Sequence, residues 1–190
     1  MKKITAILFS LTLAIGLFYP TNNDTASAAF QYKKGDILIT DRTSSKGITG
    51  HVAIYIGNNQ VLHTSGWKSE PYPKVMTLSK WVKRYDKRVK VLRYKSSKVA
   101  GKAADQAIKA FKNKKIKYSI TTNPKNISKT YCSELVWYSY WKAGVTYKLN
   151  RYTGKTGKTT WHVPTIIKPY DYLDAKDIKK NGFTMVDKKY

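Results

Sequence analysis

The chain has a single cysteine, Cys132, which excludes an internal disulfide and a multi-cysteine zinc site. Acidic residues are scarce: 11 Asp and Glu stand against 36 Lys and Arg in 190 residues, a formal charge of +25. Beyond the N-terminal segment, no stretch is apolar for the ~20 residues that a membrane helix needs. There is no internal repeat, and no proline- or serine-rich linker follows the N-terminal segment, so one domain is expected. Helix-turn-helix spacing, zinc-finger spacing and RNA-binding aromatic signatures are missing, so the charge does not read as specific nucleic-acid recognition. What remains is a foldable composition. Hydrophobic residues make up 42% and aromatics 13%, a content that disordered polycations lack.

Residues 1–29 read as a signal peptide. Lys2 and Lys3 precede the apolar run Ile4 to Phe18, Pro20 breaks it, and Ala26-Ser27-Ala28 supplies a small-residue cleavage pattern. No cysteine follows the run, so lipid attachment there is excluded. Cleavage removes Lys2, Lys3 and Asp24, which lowers the charge from +25 to +24. An exported chain of that charge is expected to meet anionic envelope polymers or lipid headgroups. With the leader removed, no transmembrane segment remains.

Residues 30–190 form the expected domain. Asp36 to Thr40 reads as a strand. His51 to Ile56 and Gln60 to Thr64, joined by Gly57-Asn58-Asn59, read as a hairpin. Val89 to Tyr94 is a further strand, and Val99 to Phe111 carries Ala103, Ala107, Ile108 and Phe111 at helical spacing. Cys132 to Ala143 reads as a second helix ended by Gly144, and Gly154 to Thr160 as a mobile loop. A short helix after Pro169 and a last strand over Gly182 to Val186 complete an α+β layer fold.

Cys132 opens its helix, where the dipole and free N–H groups are expected to lower a thiol pKa. A nucleophilic thiol needs a base. His51 and His63 lie on the two strands of one hairpin and can face one another across it, giving a base and its orienting partner on a rigid element. His162 has no comparable setting and reads as structural. Glu134 is one of two glutamates and reads as a first-turn carboxylate facing the helix N-terminus. Asp36 and Asp41 read as turn residues. Trp137, Tyr138, Tyr140 and Trp141 wrap all faces of their helix, so part is core and the rest is available to a groove.

Gly35-Asp36-Ile37-Leu38, Gly50 to Gly57 (GHVAIYIG), Val61-Leu62-His63 and Tyr131 to Val136 (YCSELV) resemble the NlpC-type papain-like cysteine hydrolases. The histidine strand precedes the cysteine helix, an order similar to the circularly permuted YiiX-like branch, which includes relatives of lecithin retinol acyltransferase. The resemblance spans Lys34 to about Pro169 and implies an antiparallel sheet packed on helices. It implies Cys132 as nucleophile, His51 as base and His63 as the orienting third residue, with no metal or cofactor. The expected activity is that of a secreted or envelope-associated cysteine hydrolase acting through a Cys132 thioester. Its substrate is a cell-wall peptide amide, ahead of a lipid-borne acyl group. The competing expectation is a non-catalytic, cationic envelope-binding protein on the same scaffold.

Overall fold

The structure is a computed structural model that describes residues 30–43, 49–153 and 158–188. Its centre is a six-stranded sheet in the order β10-β5-β1-β2-β3-β4, with every neighbouring pair antiparallel. The strands are β1 (Ile37–Thr40), β2 (His51–Gly57), β3 (Gln60–His63), β4 (Lys74–Thr77), β5 (Lys90–Tyr94) and β10 (Phe183–Lys188). Helices α2 (Ser97–Phe111) and α3 (Cys132–Lys142) cover one face, and α1 (Leu78–Arg84) the other. The expected α+β fold, with histidine strands before the cysteine helix, is what forms. Two-stranded ladders β6 (Lys117–Tyr118) with β7 (Lys129–Thr130), and β8 (Leu149–Thr153) with β9 (Lys158–His162), lie outside the main sheet. A short α4 (Ala175–Lys180) precedes β10.

Period-two alternation sends side chains of each strand to both faces. Ile37, Ile39, Val52 and Ile54 join the α2–α3 core with Leu135, Val136, Trp137 and Tyr140. Leu38, Ala53 and Val61 turn to the other face, against Trp81 and Tyr85. Helix α2 starts at Ser96, whose side chain accepts from the Val99 N–H at 3.4 Å, and presents Ala100, Ala103, Ala104 and Ala107 as its buried stripe. Small side chains there let the helix approach the sheet closely.

The β2–β3 hairpin turns at Asn58 and Asn59, both with positive φ (49° and 55°), the conformation that a two-residue type I′ loop requires. Gly57 pairs with Gln60, but the next pairs are Tyr55 with Val61 and Ile54 with Leu62, so Ile56 is an extra residue. Without that bulge, Ile54 would oppose His63, and the two histidines would point to opposite faces. With it, His63 comes opposite Ala53 and shares a face with His51. A one-residue shift decides the site.

The leader lies outside the described residues, as do residues 154–157 of the expected loop. Other expectations change. Lys158 to Thr160 of that loop belong to strand β9. Strand β4 and helix α1 were not anticipated. Asp36 and Asp41 are more than turn residues. Asp36 is buried and holds Arg93 at 2.9 and 2.7 Å, and Asp41 takes Arg88 at 3.0 and 2.5 Å.

Candidate active site

Cys132 is the first residue of α3, preceded by Tyr131 as N-cap with no side-chain cap. The N–H groups of Cys132 and Ser133 therefore have no carbonyl one turn back. Both, with the Val52 N–H of the neighbouring strand, lie close enough to stabilise a thiolate. Burial outweighs them and pushes the Cys132 thiol above its ordinary value, which reverses the expectation drawn from the helix dipole. The resting group is a neutral thiol.

His51 and His63 meet across the hairpin, brought to one face by the extra residue Ile56. His51 Nε2 lies 3.1 Å from His63 Nδ1, with the rings nearly perpendicular. His51 is held between its partner and the rings of Trp81 and Tyr85, at centroid distances of 6.3 and 5.4 Å. Burial first, and then the neighbouring His63 and Arg84, keep His51 well below the ordinary imidazole value. Burial lowers His63 to about 4, against a raising effect of Glu70. Both rings are neutral at pH 7. His63 Nε2 is buried with no hydrogen-bond partner among the described residues.

Behind the pair sits a charge cluster that sequence reading missed. Glu70 accepts from Arg84 at 2.8 Å through both oxygens, from Lys74 at 3.0 Å and from Ser65 at 3.0 Å. Those bonds, Arg84 first, hold its carboxyl at about 2. The available signal was scarcity: a chain with two glutamates places each with a purpose. Glu134, the other one, is fully buried and accepts from Thr121 Oγ1 at 2.5 Å, and burial pushes it up to about 7. It is a partly protonated core carboxyl as well as a first-turn residue.

Cys132 and His51 both line a cavity of about 1350 Å³, whose wall also includes Tyr85, Tyr118 and Tyr131. The Tyr118 hydroxyl interacts with the Cys132 thiol, and burial, followed by that contact, pushes its pKa up. Its ring packs so closely on Gly66 that a Cβ there would come within 2.8 Å of it, and Gly66 has φ +71°. Gly50, beside His51, is pressed the same way: a Cβ would lie 2.6 Å from Tyr170. The Tyr131 hydroxyl accepts from the Ile167 N–H at 3.0 Å and ties the 166–170 segment to the cavity wall. His162 lies on β9, exposed and apart from the cavity. Trp137 and Tyr140 are core, and Tyr138 and Trp141 pack against it. None of the four lines the cavity.

The profile of the LnsA-like lipoprotein N-acylation proteins matches residues 3–180. The chain belongs to that family. The family is described by lipoprotein N-acylation. An uncharacterized 30.3 kDa protein of Bacillus thuringiensis is 32% identical over 158 residues, 77% of this chain and 54% of the relative. The chain thus spans about half the length of that relative. The crystal structure of yiiX from Escherichia coli O157:H7 covers 85% of this chain and 99% of its own, with a TM-score of 0.54 and 19% identity. That likeness is one of fold. The Escherichia coli protein is described as a metalloprotein. Among the described residues here, no group of three or more His, Cys, Asp or Glu is placed to hold a metal ion. The two imidazoles also point ring nitrogens at each other, so these residues do not form a metal-binding set.

Proposed function

We propose that this protein is a cysteine-dependent acyl-transfer enzyme of the cell envelope, in which Cys132 carries the acyl group as a thioester. The observation behind this reading is that His51, hydrogen-bonded to the buried His63, lines the same cavity as the helix-start thiol. In the tautomer that serves catalysis, His51 Nε2–H donates to His63 Nδ1, leaving the lone pair of His51 Nδ1 free. That nitrogen takes the proton from Sγ as sulfur attacks the acyl carbonyl carbon. The oxyanion is stabilised by the backbone N–H at the start of α3. Collapse expels the leaving group, which takes the proton from His51 and leaves the thioester. A water or an amine, deprotonated by the same ring, then attacks the thioester, and sulfur departs with its proton restored. Because thiol and imidazole both rest neutral, His51 acts as a general base rather than as half of a standing ion pair.

A lipid-borne acyl group is the favoured donor, since the family is described by lipoprotein N-acylation. This reorders the preference for a wall-peptide amide drawn from sequence. The test is to incubate parent and Cys132→Ala with phospholipid vesicles and, separately, with purified wall peptides. A thiol-directed acyl electrophile, with Cys132→Ser as control, reports the nucleophile. Cysteine-dependent loss of acyl chains supports the reading, and cysteine-dependent peptide cleavage returns the amide to first place. Salt-sensitive binding with no turnover of either gives the lead to the cationic binding protein.

A further inference from the structure

We propose that the mouth of the Cys132 cavity is a collar that docks onto a bilayer containing anionic lipid. Among the described residues, five large apolar side chains are exposed: Trp67 at 44%, Tyr118 at 37%, Ile120 at 64%, Val163 at 37% and Ile166 at 39%. Single exposed apolar residues are ordinary. Here, however, Trp67, Tyr118, Ile120 and Ile166 all line the one cavity that holds Cys132. They come from three separate stretches of chain: the segment after β3, the β6 region, and the segment before Pro169. Convergence of that kind marks a binding surface rather than chance.

Charge points to the same occupant. Lys68, Lys117 and Lys168 are exposed and stand within two residues of Trp67, Tyr118 and Ile166, in a chain of formal charge +25. Aromatic rings with lysines beside them suit a surface that is apolar within and anionic at its headgroups. A hydrophilic anionic polymer makes no use of isoleucine, and a neutral apolar ligand makes no use of lysine. A bilayer with anionic headgroups uses both. The inference rests on the acyl-transfer reading for its purpose: docking brings the acyl carbonyl of a membrane lipid to the thiol.

Trp67 also carries the Arg84 guanidinium 4.8 Å from its ring centroid, and Tyr118 touches the thiol. The test therefore uses Ile120 and Ile166. The full chain carrying Cys132→Ala, which removes turnover, is irradiated with vesicles of phosphatidylcholine and phosphatidylglycerol that include a diazirine-bearing phosphatidylglycerol. Labelled peptides are mapped by mass spectrometry. Labels on residues 4–18 are counted separately, because that run is apolar in its own right. The collar peptides around residues 67, 120 and 166 should be enriched in label. Ile120→Ser with Ile166→Ser should lower label on the Trp67 peptide by about tenfold, from the lost burial of two isoleucines. Ile120→Ser alone should do so in part, and circular dichroism checks that both variants fold. Labelling that ignores these substitutions, or that spreads over the lysines with no enrichment at the collar, overturns the proposal. The two readings fail separately. A labelled collar on a protein whose Cys132 form turns over no acyl lipid defeats only acyl transfer. Turnover on vesicles without collar labelling defeats only the collar.

Discussion

The two faces of the six-stranded sheet are held by different forces. The α2–α3 face is closed by apolar packing, with Trp137, Tyr140, Phe111 and the alanine stripe of α2 seated on isoleucine and valine. The α1 face has a smaller core of Leu38, Ala53, Val61, Trp81, Tyr85, Val89 and Val91. There the polar work is done by directed contacts: two imidazoles, and Glu70 with Arg84 and Lys74. The same strands feed both faces, since alternate residues part company. The two imidazoles sit on the thinner side, where hydrogen bonds and ring edges fix orientation. Cys132 arrives from the thick side as the first residue of α3 and reaches the Val52 N–H. The site thus lies where the two layers meet at the start of β2.

The largest expected effect breaks the chemistry and spares both faces. Cys132→Ala should reduce acyl turnover by about 10⁴-fold or more, the scale of losing a nucleophile, with the thermal midpoint nearly unchanged. His63→Ala should cost less, about a hundredfold, because a mispositioned base still works slowly. Steady-state rates on one vesicle substrate rank the two, and a His63 variant as dead as the cysteine variant makes His63 more than an orienter.

A pair of stability measurements sharpens the contrast between the faces. Trp137→Ala empties the apolar side and should cost about 3–5 kcal/mol in denaturant unfolding. Glu70→Gln leaves Arg84 and Lys74 short of their carboxylate and should cost about 1–3 kcal/mol. Equal costs would show that the polar cluster supports the fold as strongly as the core does.

How much of this was legible beforehand follows from the range of each interaction. Strand alternation, the asparagine turn and the alanine-spaced helix are local, and they placed β1, β2, β3, β5, α2 and α3 within a residue or two. The helix start at Cys132 and the hairpin that carries His51 and His63 were readable because both declare themselves in sequence. Ile56 is different. Nothing in HVAIYIG marks the extra residue, yet it alone puts the two histidines on one face. The Glu70–Arg84 pair and the Tyr118 contact join segments 14 residues apart along the chain in both cases, set by α1 and β6, which carry weak local signals. Lys74 to Thr77 is a short, mixed strand, and α1 spans only seven residues. The thiol pKa was misjudged because burial is a tertiary property: the dipole is visible in sequence, the desolvation is not.

That desolvation gives a kinetic test of the place where the two layers meet. A preformed thiolate–imidazolium pair alkylates at a rate that is flat across neutral pH. With Cys132 raised and His51 depressed, alkylation by iodoacetamide should instead climb steadily from pH 7 to 9, about tenfold per unit where the thiolate is the minor form. A plateau in that range would mean that the ion pair exists at rest.

The smallest effect concerns stability against pH. His63 sits at about 4 in the fold and near 6.5 when unfolded. Between those values the unfolded chain binds a proton that the folded chain refuses, so this contribution is complete above pH 6.5 and is lost as pH falls toward 4. His51 acts in the same direction. Glu134 opposes them: raised from 4.5 to about 7, it takes up a proton on folding and favours the fold as pH falls through that window. Glu70, held at about 2, acts only below 4.5. The net slope of the parent is therefore a small difference, and the informative quantity is a comparison of two chains. His63→Asn keeps an acceptor near the Nδ1 position and removes one titration, while Glu134 is common to both. Thermal midpoints measured from pH 7 to 4.5 should fall less steeply in His63→Asn than in the parent. Identical slopes would mean that His63 is free to protonate in the folded protein, and the neutral, buried histidine pair would have to be given up.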